Sequence, residues 1–219
     1  MTKINLLSLH LFLTISTAQA ALSQPPLIMI DPAGHAKDPG RRLHQNYERA
    51  QTFQCAQALK AALEQQSNSR VLLTRSPGDE IVPLQNASFA NRMDAQLLVR
   101  LSFYKEEAEK PKLYLYNLVY DPVIDFAQRT RDPLSFIPVH QAHYKNIQTT
   151  TNYGQKMHQL LTLGGYQKQF DCMPIKGLPI KGLVGIQAPA ILIEIGLTDD
   201  TQWNLFIEPI SKAIAAVLS

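Results

Sequence analysis

The sequence predicts a single α/β domain whose central sheet is mostly parallel and covered by helices on both faces. Three observations carry this. Continuous apolar runs of strand length recur along the chain, starting with LIMID at 27–31, and unbroken hydrophobicity is what a strand buried on both faces requires. Segments with one apolar helical face alternate with those runs, the pattern of strands joined by crossover helices. The full sequence is 45% hydrophobic, the composition of a chain that folds around a real core.

The chain opens with a segment to be set aside. Residues 1–20 carry Lys3, then the apolar stretch INLLSLHLFLTI, then AQA, which together form the charged, apolar and small-residue regions of a secretory signal peptide. The apolar stretch falls short of the roughly 20 residues a membrane span needs, although an uncleaved anchor is the alternative. The mature domain is then 21–219. Removing Lys3 lowers the formal charge from +3 to +2, too little to mark a nucleic-acid binder. After export Cys55 and Cys172 would meet an oxidising compartment. A disulfide and two separate thiols both remain open, since the cysteines lie far apart in sequence.

After LIMID, Phe53, Ala56, Leu59 and Leu63 recur at helical spacing in NYERAQTFQCAQALKAALEQQ. RVLLTR (70–75) is a second strand, PLQNASFANRMDA a short helix and AQLLVRLS (95–102) a third strand. KLYLYNLVY (112–120) has strand-forming residue types, NYGQKMHQLLTLG reads as a helix stopped by glycine, and PAILIEIG (189–196) is a buried strand. Phe206, Ile210, Ile214 and Val217 line one face of a terminal helix. The least regular stretch, 121–146, holds three prolines. A long irregular connection in a compact domain is commonly functional, so it is a candidate cover for a site.

Sites in open α/β sheets lie beyond the carboxyl ends of the strands. There the sequence places His35, Ser102 and Glu194. Glu194 stands inside an apolar run, and a carboxylate there needs a partner, a metal or a path to water. Either a functional acid or one that reaches an arginine fits. Glu48 begins the first helix, where acids also favour the helix dipole. A turn between His35 and Glu48 could bring both to one ion, while His35 alone could equally be a plain loop residue.

These residues carry a family resemblance. IDPAGHAKDPG, Glu48 at its helix start, the TR pair in VLLTRSPGDEIVPL, the Ala90–Asn91 pair and PAILIEIGLTDD resemble, in order and spacing, the motifs of zinc-dependent N-acetylmuramoyl-L-alanine amidases. The likeness spans roughly 27–218. It implies an exported peptidoglycan hydrolase that cleaves the amide between N-acetylmuramic acid and the L-alanine of the stem peptide. Zinc is the implied cofactor, His35 and Glu48 are implied metal ligands, and Glu194 is the implied catalytic acid and base. Two departures stand out. Ser102 occupies the place of the family's third zinc-ligand histidine, and a hydroxyl is a poor zinc ligand. His35 also lies one position late, because DPAGH stands for DPGH. His140 and His143 are possible replacements, or surface histidines. Arg100, two residues before Ser102 and on the same side of its strand, could pair with Glu194 or Glu48 or reach water. The alternative function is a degenerate amidase fold that binds peptidoglycan or an envelope protein without cutting.

Overall fold

The computed structural model describes residues 24–119 and 138–219. The leader at 1–20 and most of the irregular connection fall outside the described residues. The elements are β1 (Leu27–Pro32), α1 (Glu48–Gln66), β2 (Arg70–Leu73), α2 (Gln85–Arg92), β3 (Leu97–Lys105), β4 (Lys112–Leu118), α3 (Ile147–Leu163), β5 (Asp171–Cys172), β6 (Lys176–Leu178), β7 (Ala190–Leu197) and α4 (Ile207–Leu218). The strands form one seven-stranded sheet in the order β2-β1-β3-β7-β4-β5, with β6 also on β4. All pairings are parallel except β4 with β7. The predicted α/β class with a mostly parallel sheet is what the structure shows.

The two faces of the sheet differ in chemistry. Ile28, Ile30, Val99, Leu101, Phe103, Ile193 and Ile195 project to one side and pack with α1, α3 and α4 into the larger core. On the other side Met29, Leu98, Ala190 and Leu192 pack under α2 and Leu183–Ala188. Toward the carboxyl ends of the strands this second face turns polar. Asp31 lies opposite Arg100, Ser102 opposite Glu194, and Glu194 opposite Tyr114. Alternation along a strand places these polar groups on the face that carries Met29 and Leu98. The smaller apolar core therefore ends where a site begins.

Several elements differ from expectation in extent. β3 continues to Lys105, because Phe103 is fully buried and β7 pairs with the strand to its end; Ser102 is thus inside the strand. α3 starts at Ile147, ahead of the predicted 152, following a 3-10 segment over Val139–Asn146. β5 and β6 are two- and three-residue edge strands, too short for an apolar period to announce. Both cysteines are free: Cys55 is buried in the core beneath α1, and Cys172 is half-buried on the edge strand β5. Among the described residues no helix is long and apolar enough to cross a membrane.

Candidate functional site

The site is built around the turn between β1 and α1. β1 ends at Pro32, opposite Leu101 of β3, and the Ala33 N–H still bonds the Leu101 carbonyl at 2.9 Å. Two residues on, the Phe103 N–H faces the same side with no strand left to meet it. Glu48, the first residue of α1, takes that place. Its Oε1 accepts the Phe103 N–H at 2.8 Å and the Ser102 hydroxyl at 2.7 Å, and its Oε2 accepts the Arg41 N–H at 3.0 Å. The carboxylate is buried. It satisfies backbone that the end of β1 leaves unpaired.

Loop carbonyls start the helix. The N–H groups of Glu48 and Arg49 donate to Arg41 and Pro39 carbonyls at 2.9 and 3.0 Å, satisfying donors that no helix can pair internally. The chain reaches this position through Gly40, whose φ is +73° and whose hypothetical Cβ would lie 2.6 Å from Glu48 Oε2. Only glycine suits both demands. Asp200 fastens the rest of the loop, accepting N–H groups from His44, Gln45 and Asn46 and the Asn46 side-chain amide at 2.8–3.0 Å. Burial alone would raise the Asp200 pKa, but these donors outweigh it and hold it below the usual carboxylate value.

Fastened in this way, the loop delivers Arg41. Its Nη1 donates to Glu194 Oε1 at 2.6 Å and reaches the Phe103 carbonyl at 3.5 Å. Burial lowers the Arg41 pKa, yet the hydrogen bond and charge of Glu194, joined by the charge of Glu48, raise it above its ordinary value. Glu194 Oε2 also accepts the Tyr116 hydroxyl at 3.3 Å. Burial first, then the Glu194 charge, push that phenol up to about 12. Tyr116 stacks on Tyr114, which faces Tyr104. The result is a guanidinium that pairs with one acid and lies in the field of the other, beside a row of tyrosines.

His35, Glu48 and Glu194 are not brought together as a trio. His35 sits in a turn closed by reciprocal backbone bonds with Asp38 and tied to the Arg49 guanidinium, and it lines a neighbouring cleft with Arg100. Arg100 pairs with neither Glu194 nor Glu48: it forms an ion pair with the buried Asp31 on β1. His143 is buried beside Leu118 and Ala190. Ala190 is four residues before Glu194 on β7, about 13 Å away at strand rise, so His143 belongs to the far end of the sheet. His140 lies on the same 3-10 segment.

The donor set does not fit a zinc ion. Both Glu48 oxygens are engaged by protein donors, Ser102 is one of those donors, and an arginine brings its charge to Glu194. A catalytic zinc needs about three protein ligands, and among the described residues no group of three or more His, Cys, Asp or Glu could hold a metal. Sequence reasoning missed Arg41, Tyr116 and Asp200. The only local sign of Arg41 is an arginine pair directly after a turn glycine, between the candidate site residues His35 and Glu48.

Other motif residues hold the frame. Thr74 donates to Asp31 at 2.7 Å, while Arg75 binds the carbonyls of Pro32, Ala33 and Arg49 and so clamps the turn after β1. Asn91 bridges the Gly185 carbonyl and the Gln187 N–H, both at 2.9 Å. The TR and AN pairs are therefore structural fasteners here.

Comparison with known proteins agrees with this architecture. The sequence profile of the N-acetylmuramoyl-L-alanine amidase family (Amidase_3) matches residues 28–208. Among curated proteins none matches by sequence. An N-acetylmuramoyl-L-alanine amidase from Clostridium difficile 630 superposes with a TM-score of 0.64 at 19% identity, over 90% of this chain and 98% of that one. The catalytic domain of CwlV from Bacillus (Paenibacillus) polymyxa var. colistinus gives 0.63 at 18%, over 88% and 98%. The CwlD amidase of Clostridioides difficile, solved in complex with the GerS lipoprotein, gives 0.63 at 17%, over 88% and 98%. At these identities the likeness is one of fold.

Proposed function

Since the chain belongs to the N-acetylmuramoyl-L-alanine amidase family, we propose that it recognises peptidoglycan around the muramoyl–L-alanine junction and holds it without cutting. The observation that supports this is Arg41, a half-exposed cation of the chain's own, paired with Glu194 at 2.6 Å, next to a Glu48 whose oxygens serve backbone and hydroxyl donors. A site in that state offers a cation and a row of aromatic rings, which suit binding to a polar polymer. The segment 1–20 acts as an export signal and carries the domain to that polymer. N-terminal sequencing of the exported protein checks this: a mature chain starting at Ala21 is expected, and one retaining Met1 refutes cleavage. A lipoprotein or other envelope protein is the partner class to seek, by analogy with the CwlD complex.

The test is retention on purified insoluble sacculi in the presence of a chelator, with soluble stem peptide measured after zinc is added. Retention without metal and no peptide release are expected. Zinc-dependent release that Glu194→Ala abolishes would establish a metal-dependent hydrolase instead, with His35 and Glu48 recruited to the ion. One observation favours that second reading: the Arg41 side chain is 52% exposed, so it has room to leave Glu194.

A further inference from the structure

Beside the Asp31–Arg100 pair lies an open cleft of about 510 Å³, lined by His35, Asn86, Arg100 and Lys181, with Val82 and Leu84 on its apolar wall. That size suits a small ligand or a short peptide. Two polar atoms on its lining, His35 Nδ1 and Asn86 Oδ1, are buried and meet no hydrogen-bond partner among the described residues. Such orphans are rare in native folds, and two on one cleft mark the places where a ligand would supply the missing groups.

The chemistry of those groups is definite. Asn86 spends its Nδ2 on Asp31 Oδ1 at 2.8 Å, leaving its oxygen as an acceptor for an N–H. Arg100 gives one Nη to Asp31. A guanidinium has five donors, and the others make no hydrogen bond among the described residues. Gly182 leaves room for the guanidinium, since a Cβ there would lie 2.7 Å from Arg100 Nε and 2.8 Å from Cζ, and the Arg100 side chain is 24% exposed. Lys181 is exposed at the rim, and Asp38, on the same rim, accepts the Gly40 N–H at 3.0 Å.

We propose that this cleft binds the free carboxylate end of a short peptide. The carboxylate lies against Arg100 and Lys181, a peptide N–H meets Asn86 Oδ1, the His35 ring completes the polar contacts, and a small apolar side chain packs on Val82 and Leu84. The proposal rests on the peptidoglycan reading for the source of that peptide, a stem peptide of the wall; the recognition chemistry comes from the cleft.

The experiment is an NMR titration of the whole mature protein, read at the His35 ring resonances, with N-acetyl-alanyl-alanine, its C-terminal carboxamide and inorganic phosphate as probes. Saturable shifts with the acid are expected, weakened about tenfold, or roughly 1.4 kcal/mol, in the carboxamide. Arg100→Gln should weaken binding at least as much. Because that variant also removes a partner of Asp31, Lys181→Glu serves beside it: this exposed change leaves the fold intact and should weaken the acid alone. Equal binding of acid and carboxamide, equal shifts with phosphate, or unchanged affinity in Lys181→Glu would overturn the proposal. Sacculus retention is measured in parallel. Retention that persists while the acid fails to bind refutes the cleft and leaves the wall-binding reading standing; acid binding without retention supports the cleft and refutes the wall as its source.

Discussion

Replacing Glu48 with alanine separates a structural carboxylate from a metal ligand. In a metal-ready site a free ligand carboxylate is a burden to the unloaded protein, and its removal leaves stability unchanged or improved. Here Glu48 accepts from Phe103 N–H, Ser102 Oγ and Arg41 N–H. The Phe103 N–H is buried, and leaving it unpaired costs about 1–3 kcal/mol, while hydrogen bonds to a charged acceptor contribute about 1.5–3 kcal/mol each. The Ser102 hydroxyl can turn and the Arg41 amide can meet water, so the full sum is not lost. Glu48→Ala should therefore destabilise by about 3–5 kcal/mol, lowering the melting temperature by roughly 6–20 °C for a domain of this size. The assay is urea unfolding followed by tryptophan fluorescence, with chelator present throughout. Trp203 is well placed to report, since its indole N–H donates to Gln51 of α1 at 2.9 Å. An alanine variant as stable as the parent would refute the assignment of Glu48 as a backbone acceptor.

Three further outcomes follow from the same geometry. Asp200→Asn should lose about 2–3 kcal/mol at neutral pH, because an amide cannot accept four donors. The folded pKa of Asp200 is depressed, so its contribution is present above the unfolded value of about 4 and fades as pH falls through the folded value below that. The gap between variant and parent should therefore narrow in acid unfolding, and a gap constant to pH 2 would count against it. Gly40→Ala should cost about 2 kcal/mol or more, since the left-handed φ and the 2.6 Å approach to Glu48 Oε2 act together; chemical denaturation of a near-neutral variant would disprove this. Burial pushes the Cys55 thiol well above its usual value, and Cys172 is raised as well by burial. Two free thiols should appear on unfolding without reductant, with Cys55 silent to a thiol reagent in the folded state. Finding none after unfolding would mean a disulfide.

The strands β1, β3 and β7 were legible because each is buried on both faces over most of its length and so reads as a largely apolar run. Ser102, Glu48 and Glu194 drew notice by their places beside those runs, and the structure joins Ser102 to Glu48 by a hydrogen bond and sets Ser102 opposite Glu194. What the sequence hid is where side chains travel. Arg41 reaches Glu194 because Asp200, more than 150 positions later, holds the intervening loop, and no local pattern contains that contact. From the sequence, Arg100 could pair with Glu194 or Glu48 or reach water. It went to Asp31 because the parallel register of β1 on β3 sets the two directly opposite, and pairing registers are not visible in either strand alone. The short strands β5 and β6 are edge additions set by β4, with too few residues to carry a pattern.

Arg41 bonds Glu194 and lies in the field of Glu48, so its charge, rather than a metal ion's, faces the two acids. The most direct test is the zinc content of untagged mature protein, purified from zinc-supplemented medium without chelators and measured by elemental analysis. Zinc far below one ion per chain is predicted, unchanged by His35→Ala. One zinc per chain, lost in both His35→Ala and Glu48→Ala, would contradict the claim and restore the metal-dependent hydrolase.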